Sequence, residues 1–533
     1  MHFGSNTLNS IYIQKLKHYG KKRIYKKTAV ASVTGSAVIK SLYLNDLFES
    51  STGMARNIDI PSPYLNKLVV KPILTSMYHT TVWEGPCRWK GEPREEELKI
   101  AAKDLDNLSK AVKDSSIDKS IVDMLEPGQV FFMEDYVIRE EEFKKIEEDA
   151  NKADVLYINP RGCSISNYNV AIRFKKPVVL SGGLSCRTVD ISAYFRSKGL
   201  ECYIPNSPEE TNQQFALLKA RKNFSQTRIL FPTDRKWPSV CSCAGINEPE
   251  KLKGQFGIEL VVISYDELSQ EMERTKNNKT LNHEAAEMAD TVFNNANRSF
   301  IDKKYVVNSM EFYQTVTSLM KRYNCNAFTI ECFEFCTSRL PQKWTITPCL
   351  IHTMFKDLGI PSACEGDLGG LLAMNMLMLV SNKSPHFGNM FYQGKEKGTM
   401  TINHSVPGIK MNGYDKPGLP YQLSHFTASG WGTKAVIDFI KNDEKDITVA
   451  RMNPLGTGLL VLKGKLVGSK GWDEDLLGCA VSAYIVGKES STAEEFVRKQ
   501  ADYGNHLAWV YGDYAEQLMK LGDMIGVDVD VIS

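Results

Sequence analysis

The chain lacks long apolar runs, because no stretch of about 18 consecutive apolar residues occurs anywhere in the sequence. A membrane-spanning helix is therefore not predicted. The chain also lacks a charge excess of either sign, because it contains 65 Lys and Arg residues and 63 Asp and Glu residues, for a formal net charge of +2. This balance provides no extended basic field, so we expect no nucleic-acid partner. A small-molecule substrate fits it better.

Cysteine is scarce as well, with 12 residues in a chain of 533, far fewer than a disulfide-stapled domain uses. Most of the cysteines lie in hydrophobic stretches, where a thiol acts as a small apolar side chain. Cys241 and Cys243 have the wrong spacing for a zinc knuckle, so structural zinc is not predicted. Reduced, buried thiols favour a reducing compartment such as the cytoplasm.

Residues 1–65 are polar and basic and show no convincing periodicity. Within them a basic run, 21–27, precedes a mildly apolar stretch, 28–39, in the manner of a twin-arginine export signal. The stretch has no Arg-Arg pair, and Lys40 ends the apolar run early. We interpret the segment as a leader on a cytoplasmic protein. Export to the periplasm through a degenerate signal is the alternative.

Short apolar runs alternate with helix-like segments through most of the chain, an order typical of doubly wound parallel sheets. We predict two Rossmann-like domains, at 66–225 and 226–384. The Gly-Gly pair at 182–183 follows a strand but does not have the G-x-G-x-x-G spacing of a dinucleotide site. Glycine, proline and short β-rich runs dominate 385–533, which predicts a β-rich, barrel-like domain with a terminal helix over 493–521.

An acidic turn, Cys364-Glu365-Gly366-Asp367, follows a short apolar strand of the second series. Ligands of open α/β sheets bind beyond the carboxyl ends of the strands, so this turn is well placed to carry chemistry. Two carboxylates on a tight turn can bind a divalent cation or act as base and acid. Asp367 is equally suited to cap the helix that follows, whereas Glu365 lies further from the helix start.

Three further polar groups lie in the last third of the chain. Asn389 is predicted in a loop after a helix, His404 leaves a β-run, and His506 is predicted to open the last helix. Each histidine alone could be structural. No local helix brings these residues to Glu365, so a shared site would need the whole fold to assemble it.

Together, these stretches resemble the signature segments of the L-fucose/L-arabinose isomerase-like superfamily. The resemblance rests on residues 364–368, 388–390, 403–407 and 504–507, and it is most specific within 325–413 and 500–515. It extends from about residue 70 to the end. The family has two Rossmann-like domains followed by a β-rich domain, which agrees with the order predicted above.

The resemblance implies an aldose–ketose isomerase that acts on a deoxyhexose, hexose or pentose through an enediol. In the family a divalent metal, usually Mn²⁺, holds two adjacent substrate oxygens while a carboxylate moves a proton between C1 and C2. Glu365 matches the carboxylate that binds metal and transfers the proton. His404 and His506 match histidine ligands of the metal.

Asn389 is the main departure from the family, which has a carboxylate at this place. An amide oxygen can coordinate a hard cation, but it carries no charge and is a poor base. Its presence is expected to weaken metal binding and to remove half of a two-carboxylate proton shuttle, unless Asp367 substitutes. One alternative is therefore a catalytically degenerate sugar-binding or regulatory paralogue. Another is a periplasmic solute-binding receptor, which would need neither a metal nor His506.

Sugar binding also requires hydrogen-bonding groups and aromatic rings, and each candidate could equally serve in packing. The candidates are Trp83, Arg88, Trp89, Tyr414 and Trp431. In the resembling family the first domain of one subunit closes the site of its neighbour. A homotrimer or homohexamer is therefore implied.

Overall fold

The computed structural model describes residues 60, 62–79, 93–114, 116–162, 164–235, 245–246, 248–393 and 398–533. The chain forms two compact units. The first includes Lys71–Ser109 and Glu126–Asn206, and the second includes Lys110–Leu125, Ser207–Ser533 and the described residues up to Val70. Nearly all of the predicted leader lies outside the described residues. No helix of the described part is long and apolar enough to cross a membrane.

A sheet of apolar strands forms the core of the first unit. The strands up to residue 206 are β1 (Leu68–Met77), β2 (Val122–Met124), β3 (Gly128–Phe132), β4 (Val155–Asn159), β5 (Val178–Leu180) and β6 (Cys202–Tyr203), of which β2 belongs to the second unit. The helices are α1 (Pro93–Lys113), α2 (Glu140–Lys144), α3 (Glu147–Lys152), α4 (Ser164–Phe174) and α5 (Cys186–Ser197), and the next helix, α6 (Pro208–Ser225), belongs to the second unit. The strand order within the unit is β3-β1-β4-β5-β6. Completely buried strands such as β5 are continuous apolar runs, as expected where helices cover both faces of a sheet.

A second parallel sheet, in the order β11-β10-β7-β8, belongs to the second unit. The strands here are β7 (Arg228–Pro232), β8 (Glu259–Ile263), β9 (Arg298–Ser299), β10 (Ala327–Ile330) and β11 (Ser362–Cys364). The helices are α7 (Lys251–Phe256), α8 (Tyr265–Asn277), α9 (Lys279–Asn294), α10 (Lys303–Arg322), α11 (Cys332–Thr337), α12 (Leu340–Trp344), α13 (Cys349–Asp357) and α14 (Leu368–Ser381). Ile330 pairs with Cys364, so β10 and β11 end side by side.

The C-terminal part of the second unit forms a closed antiparallel barrel, because β16-β19-β12-β13-β18-β17 form one sheet in this order and β17 pairs back with β16. The strands are β12 (His386–Tyr392), β13 (Thr399–His404), β14 (Tyr421–His425), β15 (Thr433–Ile437), β16 (Asp446–Met452), β17 (Gly458–Lys470), β18 (Val481–Val486), β19 (Leu507–Tyr511) and β20 (Asp528–Ile532). The helices are α15 (Ser490–Gln500) and α16 (Ala515–Ile525). The predicted fold class, parallel-sheet α/β followed by a β-barrel, is confirmed; the domain boundaries stay predictions.

Two local predictions are wrong. The single terminal helix predicted over 493–521 is instead α15, β19 and α16, and His506 precedes a strand rather than opening a helix. The run Leu507–Tyr511 is completely buried and pairs with β12 on one side and β16 on the other, and its Trp, Val and Tyr residues favour a strand. Asn389 is likewise in strand β12 and not in a loop.

Helix α14 is buried along nearly its whole length, and it packs against α6, β16 and β19. Such a helix is apolar on all sides rather than on one face. Its first turn contains Gly369 and Gly370, and a Cβ atom added at Gly370 would lie 2.4 Å from the ring of Phe387. The two glycines therefore let the barrel approach the start of the helix closely.

We expect the substitution Trp509→Ala to lower the free energy of unfolding by about 3–5 kcal/mol, because it leaves a cavity in the barrel. The Trp509 side chain is completely buried against Phe439 and Tyr511. Equilibrium denaturation measures the loss. Leu455→Ala is the control, since Leu455 is 66% exposed and its truncation should change stability by less than about 0.5 kcal/mol. Equal effects of the two substitutions would contradict this description of the core.

Candidate metal centre

The acidic turn at the end of β11 has a strained backbone. Glu365 has φ of +62° and Gly366 has φ of +64°, so two successive residues lie in the left-handed region. The amide of Gly366 donates a hydrogen bond to the carbonyl of Ile330, which ties the turn to the end of β10. A left-handed backbone costs a residue with a Cβ atom about 1–2 kcal/mol. This conformation is found at Glu365, the residue whose carboxylate contacts both histidines described next.

The carboxylate of Glu365 lies between two imidazoles. Oε1 is 3.2 Å from Nε2 of His404, and Oε2 is 3.3 Å from Nε2 of His506. The side chain of Glu365 is 13% exposed, and both histidine side chains are 1% exposed. The three predicted groups Glu365, His404 and His506 thus meet, although they come from distant parts of the chain.

The barrel positions the two histidines. His404 ends β13 and His506 immediately precedes β19, and β12 lies between these two strands. Phe387 of β12 packs against both rings, with centroid distances of 6.2 Å to His404 and 5.0 Å to His506. The next residue, Gly388, leaves room for His404, because an added Cβ atom would lie 3.1 Å from the Cβ of that histidine.

Asp367 is the N-cap of α14, and it also contacts the centre. Its Oδ1 accepts a hydrogen bond from the amide of Gly370 at 2.9 Å. Its Oδ2 accepts one from Nη1 of Arg451 and lies 3.0 Å from Nδ1 of His506. Arg451 is completely buried and also donates from Nε to the carbonyl of Tyr503 at 3.1 Å. The capping interpretation of Asp367 is therefore correct, and the same carboxylate orients His506.

Charge complementarity determines the protonation of the cluster. Burial opposes ionisation of Glu365, but His404 and His506 outweigh it and hold the pKa of Glu365 well below its usual value. Burial likewise opposes ionisation of Asp367, yet Arg451 and His506 lower its pKa to about 2. Burial alone would lower the pKa of His404, but Cys479 and Glu365 raise it to about 10. Both carboxylates are therefore ionised at neutral pH.

The ring of His506 has an unsatisfied nitrogen that fits a metal ligand. Because Nδ1 lies against the carboxylate of Asp367, the hydrogen-bond network assigns the proton of a neutral ring to Nδ1. The lone pair of Nε2 then faces Oε2 of Glu365, and Nε2 makes no hydrogen bond within the described residues. Two acceptors in this position need a proton or a cation between them. A carboxylate behind a ligating histidine is the usual arrangement at metal sites.

The other predicted site residues lie apart from this cluster. Asn389 contacts it indirectly, since its Oδ1 accepts a hydrogen bond from Asn505, the residue before His506. Tyr414 is buried and donates a hydrogen bond to the carbonyl of Lys383 at 3.1 Å, so it packs in the core. Trp431 is half-buried, in the connection between β14 and β15. The remaining candidates, Trp83, Arg88 and Trp89, lie outside the described residues.

Sequence reasoning missed Arg451 and the cysteines near the cluster. Arg451 stands in an apolar strand, and a charged residue in such a run signals a buried partner. Cys364 directly precedes Glu365, and its Sγ, a Glu365 carboxylate oxygen and a His404 ring nitrogen all lie within 4.8 Å of one another. Cys479 lies close enough to His404 to raise the pKa of the histidine.

Comparison with known proteins gives a partial similarity to sugar isomerases. No protein-family model matches the chain. A segment of 186 residues, 34% of the chain, is 27% identical to sulfoquinovose isomerases of Priestia aryabhattai and Priestia megaterium. The match spans 40% of the length of these relatives.

We expect the substitution Asp367→Asn to lower the free energy of unfolding by about 3–5 kcal/mol, because it leaves the charge of Arg451 buried without its carboxylate partner. Chemical denaturation of the metal-free protein measures the effect. Asp443→Asn removes a carboxylate from an exposed position and is the control, with an expected change within about 0.5 kcal/mol. A small effect of Asp367→Asn would show that the pair contributes little to stability.

The lowered pKa of Asp367 also leads us to expect a loss of folding stability at acidic pH. The pKa of Asp367 is lowered to about 2 in the folded chain, against about 4 in an unfolded one. Its contribution is therefore present above about pH 4 and is lost as the pH falls from about 4 to about 2. Stability measured across this window should fall more steeply for the wild type than for Asp367→Asn. Parallel curves would contradict the assignment.

Proposed function

We propose that the chain is a metal-dependent aldose–ketose isomerase whose centre comprises Glu365, His404 and His506. One observation carries the proposal: an ionised carboxylate, at the carboxyl edge of a parallel sheet, lies 3.2 and 3.3 Å from two buried imidazole nitrogens. Such a set of oxygen and nitrogen donors suits a divalent transition metal. The partial similarity to sulfoquinovose isomerases supports a sugar as the substrate.

Each residue has a distinct part in the proposed reaction. Glu365, His404 and His506 would hold a divalent cation, Mn²⁺ by analogy with the resembling family, and the bound cation would polarise adjacent carbonyl and hydroxyl oxygens of the sugar. Glu365 accepts the proton from C2 of the aldose and returns it to C1, while the proton of the C2 hydroxyl passes to the C1 oxygen. It is ionised at neutral pH, and although its low pKa makes it a weak base, the polarised carbonyl would acidify the C2 proton enough for a carboxylate to remove it. Asp367 orients His506 and is not free to act as the base.

The substrate class proposed is an aldose, whether deoxyhexose, hexose or pentose, and the named relatives make sulfoquinovose a further candidate. A cytoplasmic location and a homotrimer or homohexamer are part of the same proposal. Light scattering coupled to size exclusion measures the assembly.

A sugar-binding or regulatory protein without turnover is the second candidate, and one observation favours it. Asn389 is uncharged, and its amide oxygen is already engaged by Asn505. A centre with only Glu365 as a carboxylate would bind a divalent cation more weakly than one with two.

We expect Glu365→Gln to reduce isomerisation by at least about 100-fold, since the amide cannot accept the proton. The assay incubates a panel of aldoses, including sulfoquinovose, with the purified chain and added Mn²⁺, and follows the ketose by NMR. Glu444→Gln, at an exposed position, is the matched control and should keep full activity. Unchanged turnover by Glu365→Gln would remove this residue from the mechanism. No turnover of any sugar by the wild type would favour the binding protein instead.

We expect Asn389→Asp to raise the affinity for Mn²⁺ about tenfold, because a carboxylate near the centre adds a negative charge. Isothermal titration of the metal-free chain measures the change. Asn277→Asp adds the same charge at an exposed position on α8 and should leave the affinity unaltered. Equal affinities for the wild type and Asn389→Asp would exclude position 389 from the ligand set.

A further inference from the structure

We propose that Cys364 is a thiolate ligand of the same centre, and that the centre therefore prefers a cation of the zinc type, Zn²⁺ or Co²⁺, over Mn²⁺. The inference rests on the proposed metal centre and concerns its ligands and its selectivity. It departs from the expectation of an oxygen- and nitrogen-only site for manganese.

The geometry brings the thiol to the cluster. Cys364 ends β11 and directly precedes Glu365, and it is 2% exposed. Its Sγ, a carboxylate oxygen of Glu365 and a ring nitrogen of His404 all lie within 4.8 Å of one another. Ligands of a tetrahedral Zn²⁺, at about 2.0–2.3 Å from the ion, lie within this separation of one another. His506 faces the second carboxylate oxygen of Glu365 at 3.3 Å and completes the surroundings.

The charge of the cation-bound site also favours a thiolate. The hydrogen bond with Cys332 and burial raise the pKa of the Cys364 thiol in the metal-free chain, so the proton would leave only as a cation binds. Glu365 supplies a single negative charge to a divalent cation. The charge of Asp367 is matched by Arg451, which contacts its Oδ2, and Asn389 is neutral. A buried charge without compensation is costly. With a thiolate at Cys364, the donors would carry two negative charges and so balance the two positive charges of a divalent cation.

Ligand softness then determines which cation is preferred. Manganese favours carboxylate, carbonyl and water oxygens, whereas thiolate together with imidazole favours zinc and its spectroscopic substitute cobalt. With Cys364 added to Glu365, His404 and His506, the centre has four protein ligands of the sulfur, oxygen and nitrogen kinds that zinc takes, and a substrate oxygen would bind as a fifth ligand.

The chain supplies a matched control next to the proposed ligand. Cys332 begins α11, and its Sγ is 3.0 Å from the Sγ of Cys364. It has the same chemistry and is half-buried. Yet it lies outside the group formed by Cys364, Glu365 and His404. Replacement of either cysteine by serine changes one atom, so a comparison of the two variants isolates the ligand.

The test is a titration of the metal-free full-length chain with Co²⁺, followed by near-ultraviolet absorption. A bound thiolate gives a charge-transfer band that oxygen and nitrogen ligands do not give. We expect the band in the wild type and in Cys332→Ser, and we expect its loss in Cys364→Ser. The ratio of Zn²⁺ to Mn²⁺ affinities, measured by competition, should fall about tenfold in Cys364→Ser alone. Circular dichroism and thermal melts verify that each variant is folded.

Each contrary outcome has a distinct meaning. Co²⁺ binding that depends on Glu365 and His404 but shows no band would overturn the role of Cys364 while leaving the proposed centre intact. A band that survives in Cys364→Ser and vanishes in Cys332→Ser would assign the ligand to Cys332 and also overturn the inference. Absence of any Co²⁺, Zn²⁺ or Mn²⁺ binding would remove both the thiolate ligand and the metal centre of the proposed function.

Discussion

The candidate centre depends on one buried carboxylate, that of Asp367. Its Oδ1 caps α14, and its Oδ2 contacts both Arg451 of β16 and His506 before β19. A buried carboxylate is stable only when it is paired and hydrogen-bonded. These three partners therefore fix the start of a helix, a barrel strand and a histidine ring around a single side chain. Glu365 is two residues away in the same turn, so the contacts of Asp367 also restrict its position.

These contacts require the barrel to lie close to the start of α14. This requirement explains two glycines that are otherwise unfavourable in a helix. Glycine costs about 1 kcal/mol relative to alanine inside a helix, yet Gly369 and Gly370 both stand in the first turn of α14. A Cβ atom at Gly370 would lie 2.4 Å from Phe387 and 3.0 Å from Nη1 of Arg451. The cost in helix propensity is thus offset by the ion pair and by the packing of Phe387, which in turn contacts both histidines.

The features that depend on local sequence patterns were predicted correctly. The features that depend on contacts between residues far apart in the chain were missed. The alternation of short apolar runs with helix-like segments predicted the parallel sheets, and the chemistry expected at a strand end pointed to Glu365. The run Leu507–Tyr511 was mistaken for helix because a short apolar run fits either structure, and its strand partners lie more than 50 residues away. Arg451 was missed for the same reason: its partner, Asp367, is 84 residues distant.

The backbone conformation of the turn indicates that the side chain of Glu365 is not required for the fold. The helix cap needs only Asp367, and the tie to β10 needs only the amide of Gly366. Glycine at 365 would adopt φ of +62° without strain. With glutamate at this position, both the left-handed backbone conformation and the burial of the charge raise the free energy of the folded chain. What offsets these costs is positive charge, either protonated His404 and His506 or a cation between them. A carboxylate held under strain against two imidazoles is therefore better explained by chemistry than by architecture.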